Sequence, residues 1–360
     1  MPVSCDLFCR VVDNLGDAGV CWRLARQLAQ EHGWRVRLWI DDPAPLAGLR
    51  PGIAPAAQMQ DVDDVEIRRW PEHFPEVAPC DVVIEAFACE LPPGFVLAMA
   101  RRPRPPVWLN LEYLSAETWV PGCHGLPSPH PSLPLVKYFF FPGFAAGTGG
   151  LLRERELPVP PVRSPATELS VSLFCYANAA LPDLLAVWAE CAEPVSCQVA
   201  DGLPREQVQR WLGRSFPVGS RIDRGSMQLV AAPFVPQPEY DARLAACDLN
   251  FVRGEDSFVR AQWVERPFVW QAYPQDDAAH FVKLNAFLAH YLRHVGDDRT
   301  RSAVVSFWNA WNGRGEIAAA WADFRSVLPR LTLHGKAWAR EISQPGDLAQ
   351  NLVRFCRERL

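Results

Sequence analysis

The sequence predicts an α/β protein built from two doubly wound domains that face each other across a cleft. Three observations carry that expectation. At 360 residues the chain exceeds one average core, so two domains are the natural count. Apolar strand-like runs alternate with helically spaced segments on both sides of a proline-dense stretch, Leu157 to Pro165 (LPVPPVRSP). Two acidic segments far apart, Asp13-Asn14-Leu15-Gly16-Asp17-Ala18-Gly19 and Arg253-Gly254-Glu255-Asp256-Ser257-Phe258, each stand where a strand gives way to a helix. That is where such folds expose backbone amides and catalytic side chains.

Taken in order, Cys5 to Val12 reads as a strand, Gly19 to Gln30 as a helix and Trp34 to Ile40 as a second strand ending in Asp41-Asp42. This is a βαβ unit. Apolar runs at Asp81 to Phe87, Val107 to Leu111 and Leu135 to Phe141 continue a parallel sheet buried on both faces. Pro121 to Pro134 (PGCHGLPSPHPSLP) is loop. The first domain is therefore drawn as residues 1–160.

After the proline-dense connector the alternation restarts in a second domain, residues 166–345. Strands are expected at Leu169 to Tyr176, Ser196 to Ala200, Gln228 to Phe234, Leu249 to Val252 and Phe268 to Gln271. Helices are expected at Asp183 to Cys191, Arg205 to Leu212, Tyr240 to Cys247 and from Phe258 to Val264. The last hundred residues are mostly helical, at Phe281 to Leu292, Ala303 to Trp311, Ile317 to Leu328 and Leu348 to Leu360. Residues 346–360 form a terminal helix for which packing back on the first domain is one arrangement.

Composition narrows the function classes. A hydrophobic share of 49% with 14 Trp and 19 Phe supplies two cores and argues against disorder. The net charge of −5, with no run of five basic residues, disfavours nucleic acid as a direct partner. No apolar stretch approaches the roughly 18 residues of a membrane span, and the start Met1-Pro2-Val3-Ser4-Cys5-Asp6 lacks a signal peptide's basic and apolar regions. A cytoplasmic location without membrane attachment is expected. The 11 cysteines are scattered without a Cys-x-x-Cys pair and read as small buried apolar residues. The histidines lack metal-ligand spacing; His290 and His294 stand four apart without a convincing third ligand, so no metal is expected.

The first acidic segment has two glycines three apart, too few for a dinucleotide fingerprint, and no P-loop lysine follows. Either Asp13 or Asn14 satisfies local backbone at a strand-to-helix turn, or Asp13 and Asp17 present charge to a cationic acceptor or act as a base. In the second segment, Ser257 and the helix N-terminus are available to an anion, unless Glu255 and Asp256 are first-turn acids that already satisfy the helix dipole. Phe174, Tyr176, Phe234, Gln237 and Tyr273 fall at or beyond strand ends. Singly each aromatic is core material; together they could fence a nucleobase.

With both segments in view, the chain resembles the EarP-type protein-arginine rhamnosyltransferases that modify translation elongation factor P. The matching stretches are Phe8-Cys9-Arg10-Val11-Val12-Asp13-Asn14-Leu15-Gly16-Asp17-Ala18-Gly19-Val20-Cys21-Trp22-Arg23-Leu24-Ala25-Arg26-Gln27-Leu28, Asn110-Leu111-Glu112-Tyr113-Leu114-Ser115 and Phe251-Val252-Arg253-Gly254-Glu255-Asp256-Ser257. Chain length and the order of the pieces fit as well.

The resemblance implies a GT-B glycosyltransferase of two Rossmann-like domains: the first engages elongation factor P, and the second holds the donor dTDP-β-L-rhamnose. The product is an α-linked rhamnosyl-arginine made with inversion, without a cofactor. By position, Asp17 matches the family's proposed general base, and Asp13 and Glu255 its other essential acids. Phe174, Tyr176, Phe234, Gln237, Arg253, Asp256, Ser257 and Tyr273 match residues expected around the nucleotide and diphosphate. Tyr240 falls where some relatives carry Phe.

The chemistry suits these residue types. A guanidinium with pKa above about 12 is a poor nucleophile, and a carboxylate pair can hold it by charge-assisted hydrogen bonds. An aspartate with pKa near 4 takes the proton only as the C–N bond forms, which makes the role of Asp17 a late one. Competing readings are a GT-B enzyme with another sugar nucleotide or a small-molecule acceptor, and a non-enzymatic protein with paired Rossmann-like domains.

Overall fold

A computed structural model of the chain describes residues 2–158, 168–274 and 278–360. Most of the proline-dense connector, 159–165, lies outside the described residues, as does the expected start of the second domain at 166. The chain divides into two compact units, Met1–Glu156 with Ile342–Leu360, and Leu157–Glu341.

The first unit opens with β1 (Ser4–Cys9), α1 (Asn14–Gln30), β2 (Arg35–Ile40), α2 (Ala44–Leu49), β3 (Met59–Val62) and β4 (Val65–Arg69). It continues with β5 (Val82–Ala86), α3 (Pro93–Arg101), β6 (Val107–Leu111), α4 (Val120–Cys123), β7 (Pro127–Pro129) and β8 (Val136–Phe140). These strands form one eight-stranded sheet in the order β3-β4-β2-β1-β5-β6-β8-β7. All pairings are parallel except those of the outer strands β3 and β7. The central strands β5 and β6 are buried at every position, as continuous apolar runs demand when helices cover both faces.

The second unit contains β9 (Leu169–Leu173), α5 (Leu181–Glu190), β10 (Val195–Ala200), α6 (Leu203–Leu212), β11 (Arg221–Arg224) and β12 (Met227–Ala232). Next come α7 (Gln237–Ala246), β13 (Leu249–Arg253), α8 (Asp256–Trp263), β14 (Phe268–Gln271), α9 (Ala279–Tyr291), α10 (Asp298–Trp311) and α11 (Ile317–Ser343), whose last two residues are counted with the first unit. Its six strands run β11-β12-β10-β9-β13-β14, parallel except at the edge strand β11.

The last helix, α12 (Leu348–Arg357), belongs to the first unit. Leu348, Ala349, Leu352, Val353 and Cys356 are buried in the same core cluster as Leu7, Trp22 and Val36. Leu348 N donates to Leu151 O at 2.9 Å, and Gln27 Nε2 donates to Asp347 Oδ1 at 3.2 Å.

Several elements differ from the sequence expectation. The helix expected from Gly19 begins at Asn14, so Asp17 lies inside its first turns. The helix expected to stop at Leu328 continues through Pro329 to Ser343. Burial of Leu331, Trp338 and Ile342 offsets the roughly 3 kcal/mol that an interior proline costs. Strands β3 (MQDV), β7 (PSP) and β11 (RIDR) were not anticipated, because edge strands need no apolar pattern; β7 and part of α4 fall in the stretch Pro121 to Pro134 read as loop. All eleven cysteines are free thiols, most of them buried.

Candidate active site

Both sheets change winding direction once, between β1 and β5 in the first unit and between β9 and β13 in the second. Open α/β sheets bind ligands outside the carboxyl ends of the strands at such a point. The two acidic segments occupy these positions, one in each unit.

In the first unit, Asp13 stands just before α1 and its carboxylate lies over Gly16. A Cβ on Gly16 would come within 2.7 Å of Asp13 Oδ2, so the glycine keeps that space open. Asp17 is 3% exposed, and its Oδ2 accepts from Val12 N at 2.9 Å and Asp13 N at 2.8 Å. Asp17 thus satisfies local backbone at this strand-to-helix turn. Burial raises its carboxyl above the ordinary 3.8, the two amides oppose that rise, and Asp13 and Asp41 add to it. Among the described residues Oδ1 of Asp17 accepts no hydrogen bond. Asp41, at the end of β2, steadies the same turn by accepting from Val11 N at 2.9 Å.

The neighbouring strand ends carry polar residues that their apolar surroundings hid from sequence reasoning. Glu85 on β5 is 2% exposed and takes hydrogen bonds from Glu90 N at 3.1 Å, Trp108 Nε1 at 3.2 Å and Lys137 Nζ at 3.2 Å. Buried Asn110 on β6 accepts from Ala88 N at 3.1 Å and donates to Glu112. Burial also raises the Glu112 carboxyl, with Asn110 and Lys137 opposing. The only sequence signal for this group was the stretch Asn110 to Ser115.

In the second unit, Gly254 turns the chain from β13 into α8 with φ of +57°, a conformation glycine adopts without penalty. Trp270 Nε1 donates to its carbonyl at 2.9 Å. Glu255 is the residue just before α8, and Asp256 lies in its first turn. The Ser257 hydroxyl accepts from Arg253 N at 3.0 Å and donates to Arg253 O. It therefore locks the end of β13, a use the sequence reading did not assign to it.

Arg253 is clasped by aromatic rings, its guanidinium carbon 4.5 Å from the Phe174 centroid and 4.4 Å from that of Tyr176. The two rings that could fence a base thus hold the arginine in place. Tyr273, 55% exposed, meets Tyr176 edge-on at 5.3 Å, and Phe234 is 46% exposed beyond β12. Gln237, beyond the end of β12, begins α7, is buried, and donates from Nε2 to Asp256 Oδ2 at 3.2 Å. One turn further along both helices, buried Arg260 pairs with buried Asp241 at 2.8 Å. Two rungs therefore fix α7 against α8. Tyr240, between them on α7, is held edge-on to Phe174 at 5.8 Å, and burial pushes its phenol well up.

A profile of the elongation factor P rhamnosyltransferase family EarP matches residues 5–357. The chain belongs to the EarP family. A protein-arginine rhamnosyltransferase of Pseudomonas putida is 46% identical over 100% of both chains, and one of Pseudomonas aeruginosa is 45% identical over 98% of both. A solved structure described as the basis for EarP-mediated arginine glycosylation of elongation factor EF-P is 32% identical, with a TM-score of 0.67 over 99% of this chain and 100% of that one. The calicheamicin glycosyltransferase CalG4 aligns over 100% of this chain and 99% of its own with a TM-score of 0.54 at 13% identity, a likeness of fold alone.

This EarP chain is accordingly a GT-B glycosyltransferase in architecture, with two parallel-rich Rossmann-like sheets. Among the described residues, no cluster of three or more His, Cys, Asp or Glu is arranged to hold a metal ion. Nor is any described helix long and apolar enough to cross a membrane.

Proposed function

We propose that this chain transfers L-rhamnose from dTDP-β-L-rhamnose to an arginine side chain of translation elongation factor P, with inversion at the anomeric carbon, in the cytoplasm. The observation that carries the reading is the Asp17 carboxylate at the switch point of the first sheet, buried, raised in pKa and held by two amides through one oxygen. Family membership over residues 5–357 supports the arginine acceptor and the rhamnosyl group.

The first unit is assigned to the acceptor. Asp13 and Asp17 hold the guanidinium by charge-assisted hydrogen bonds and fix one nitrogen for attack. Inversion is a single displacement: the nitrogen bonds to the anomeric carbon as the bond to the diphosphate oxygen breaks. The nitrogen becomes acidic as its lone pair leaves the delocalised system for the new bond and positive charge localises on it, and Asp17 then takes its proton. A carboxyl raised by burial is better matched to that task than a solvated one.

The second unit is assigned to the donor. Amides at the first turn of α8 and the Arg253 guanidinium meet the developing charge on the leaving diphosphate. Phe174, Tyr176, Phe234, Gln237 and Tyr273 surround the nucleotide, while Asp256 anchors α7 through Gln237 and Ser257 keeps Arg253 in register. Glu255 is kept from the diphosphate by like charge and is assigned to the sugar or the acceptor guanidinium.

Intact-mass analysis of elongation factor P incubated with the enzyme and dTDP-rhamnose tests the reading. A deoxyhexose gain localised to an arginine is expected. No gain with dTDP-rhamnose, but a gain with another nucleotide sugar, would overturn the donor assignment.

A further inference from the structure

Next to the turn that carries Asp13 and Asp17, the loop after β5 is built at a conformational cost. Phe87, Ala88 and Glu90 all have left-handed backbones, with φ of +56°, +52° and +55°. For residues other than glycine this costs about 1 to 2 kcal/mol each. The buried side chains described above hold the loop there: Asn110 takes Ala88 N and Glu85 takes Glu90 N, while Phe87 N donates to Leu111 O at 2.7 Å.

What this arrangement presents is a ring. Phe87 borders the same core cluster as Val11 and Leu15, and the ring of Tyr113, from the loop after β6, lies on it with centroids 4.5 Å and planes 15° apart. Tyr113 is nevertheless 38% exposed. A turn needed only to close β5 would not require three strained residues beneath a solvent-accessible tyrosine.

We propose that the Phe87–Tyr113 stack is the specificity platform for the acceptor, on which the flat face of the arginine guanidinium rests while carboxylates take its edges. The inference rests on the assignment of the first unit to the acceptor. A guanidinium is planar, weakly hydrated and able to stack on an aromatic face, whereas a lysine ammonium is a compact, strongly hydrated point charge. A platform together with in-plane carboxylates therefore adds a stacking face to the fork geometry that carboxylates already read, and strengthens selection of arginine over lysine. Phe87 is the positioning residue and Tyr113 the contact.

Steady-state kinetics with elongation factor P as the varied substrate test this in Tyr113→Leu and Tyr113→Phe, with dTDP affinity measured by calorimetry. Loss of a cation–ring contact predicts a rise of about 2- to 30-fold in the acceptor KM for the leucine variant. The phenylalanine variant keeps wild-type KM, and dTDP binds both unchanged. An unaltered acceptor KM in Tyr113→Leu overturns the platform, as does an equal loss in both variants, which would assign the effect to the hydroxyl. Asp13→Asn in the same assay separates the two levels. If it raises the acceptor KM and Tyr113→Leu does not, the platform alone fails; if neither changes it, the acceptor assignment of the first unit fails.

Discussion

Gly16→Ala isolates the position of one carboxylate from the stability of the fold. The new Cβ would lie 2.7 Å from Asp13 Oδ2 and 3.3 Å from its Cγ. The carboxylate must retreat by about 0.7 Å to reach ordinary contact at 3.4 Å, which a side-chain end does by rotating. Gly16 lies within α1 without a left-handed backbone, so alanine fits its conformation. The helix gains up to about 1 kcal/mol in propensity. Melting temperature should therefore hold or rise.

Catalysis should move the other way. A misplacement approaching 1 Å costs up to about 100-fold, so kcat/KM for elongation factor P should fall by roughly 10- to 100-fold. Thermal unfolding and steady-state kinetics on one preparation decide the matter. Adding Asp13→Asn to Gly16→Ala should bring little further loss, since both act through the same group. Unchanged kcat/KM in Gly16→Ala would show that the place of Asp13 does not matter to transfer. A clear drop in melting temperature would show that the backbone, not the carboxylate, gives way.

Other perturbations test other parts of the molecule. Asp17→Asn should abolish transfer while leaving dTDP affinity nearly intact, and retained turnover would remove Asp17 as the base. Because the folded carboxyl of Asp17 titrates above 3.8, the native state binds its proton more tightly than the unfolded chain, and this group's contribution to stability falls as pH rises through that window. The acid limb of kcat/KM, which reports the free enzyme, should accordingly lie above 3.8, and a midpoint at or below it would contradict the burial argument. Phe174→Ala should weaken dTDP binding in calorimetry by freeing Arg253, and Ser257→Ala should do so by releasing the end of β13. Removing one partner of the buried Asp241–Arg260 pair should cost about 3 to 5 kcal/mol in urea unfolding, whereas replacing both by Leu and Met should recover most of it.

Much of the architecture was legible because buried parallel strands need continuous apolar runs. Val82–Ala86 and Val107–Leu111 read as strands in any order of inspection, and Leu249–Arg253 followed by a glycine marked its own turn. Asp13, Asp17 and the stretch Arg253 to Ser257 stood out for a related reason, as charges placed where apolar runs end. What these charges touch was not legible. Asp17 and Ser257 each satisfy backbone groups a few residues away, and such bonds depend on how the first turn of a helix folds back.

Residue order by itself determined the alternation of strands and helices, the places where polar chemistry interrupts it, and the family to which those interruptions belong. Period and polarity are properties of neighbours along the chain, so they survive in one dimension. Only the tertiary structure decided that Arg253 is clasped by Phe174 and Tyr176, that Asp241 faces Arg260 one turn beyond Gln237 and Asp256, and that Phe87 is held left-handed under Tyr113. Each of these joins residues from different strands, helices or the loops that follow them, and its energy comes from burial and direction that exist only once the sheet has formed. The continuation of α11 through Pro329 has the same origin: local preference ends the helix there, and the packing of Leu331 and Trp338 carries it on.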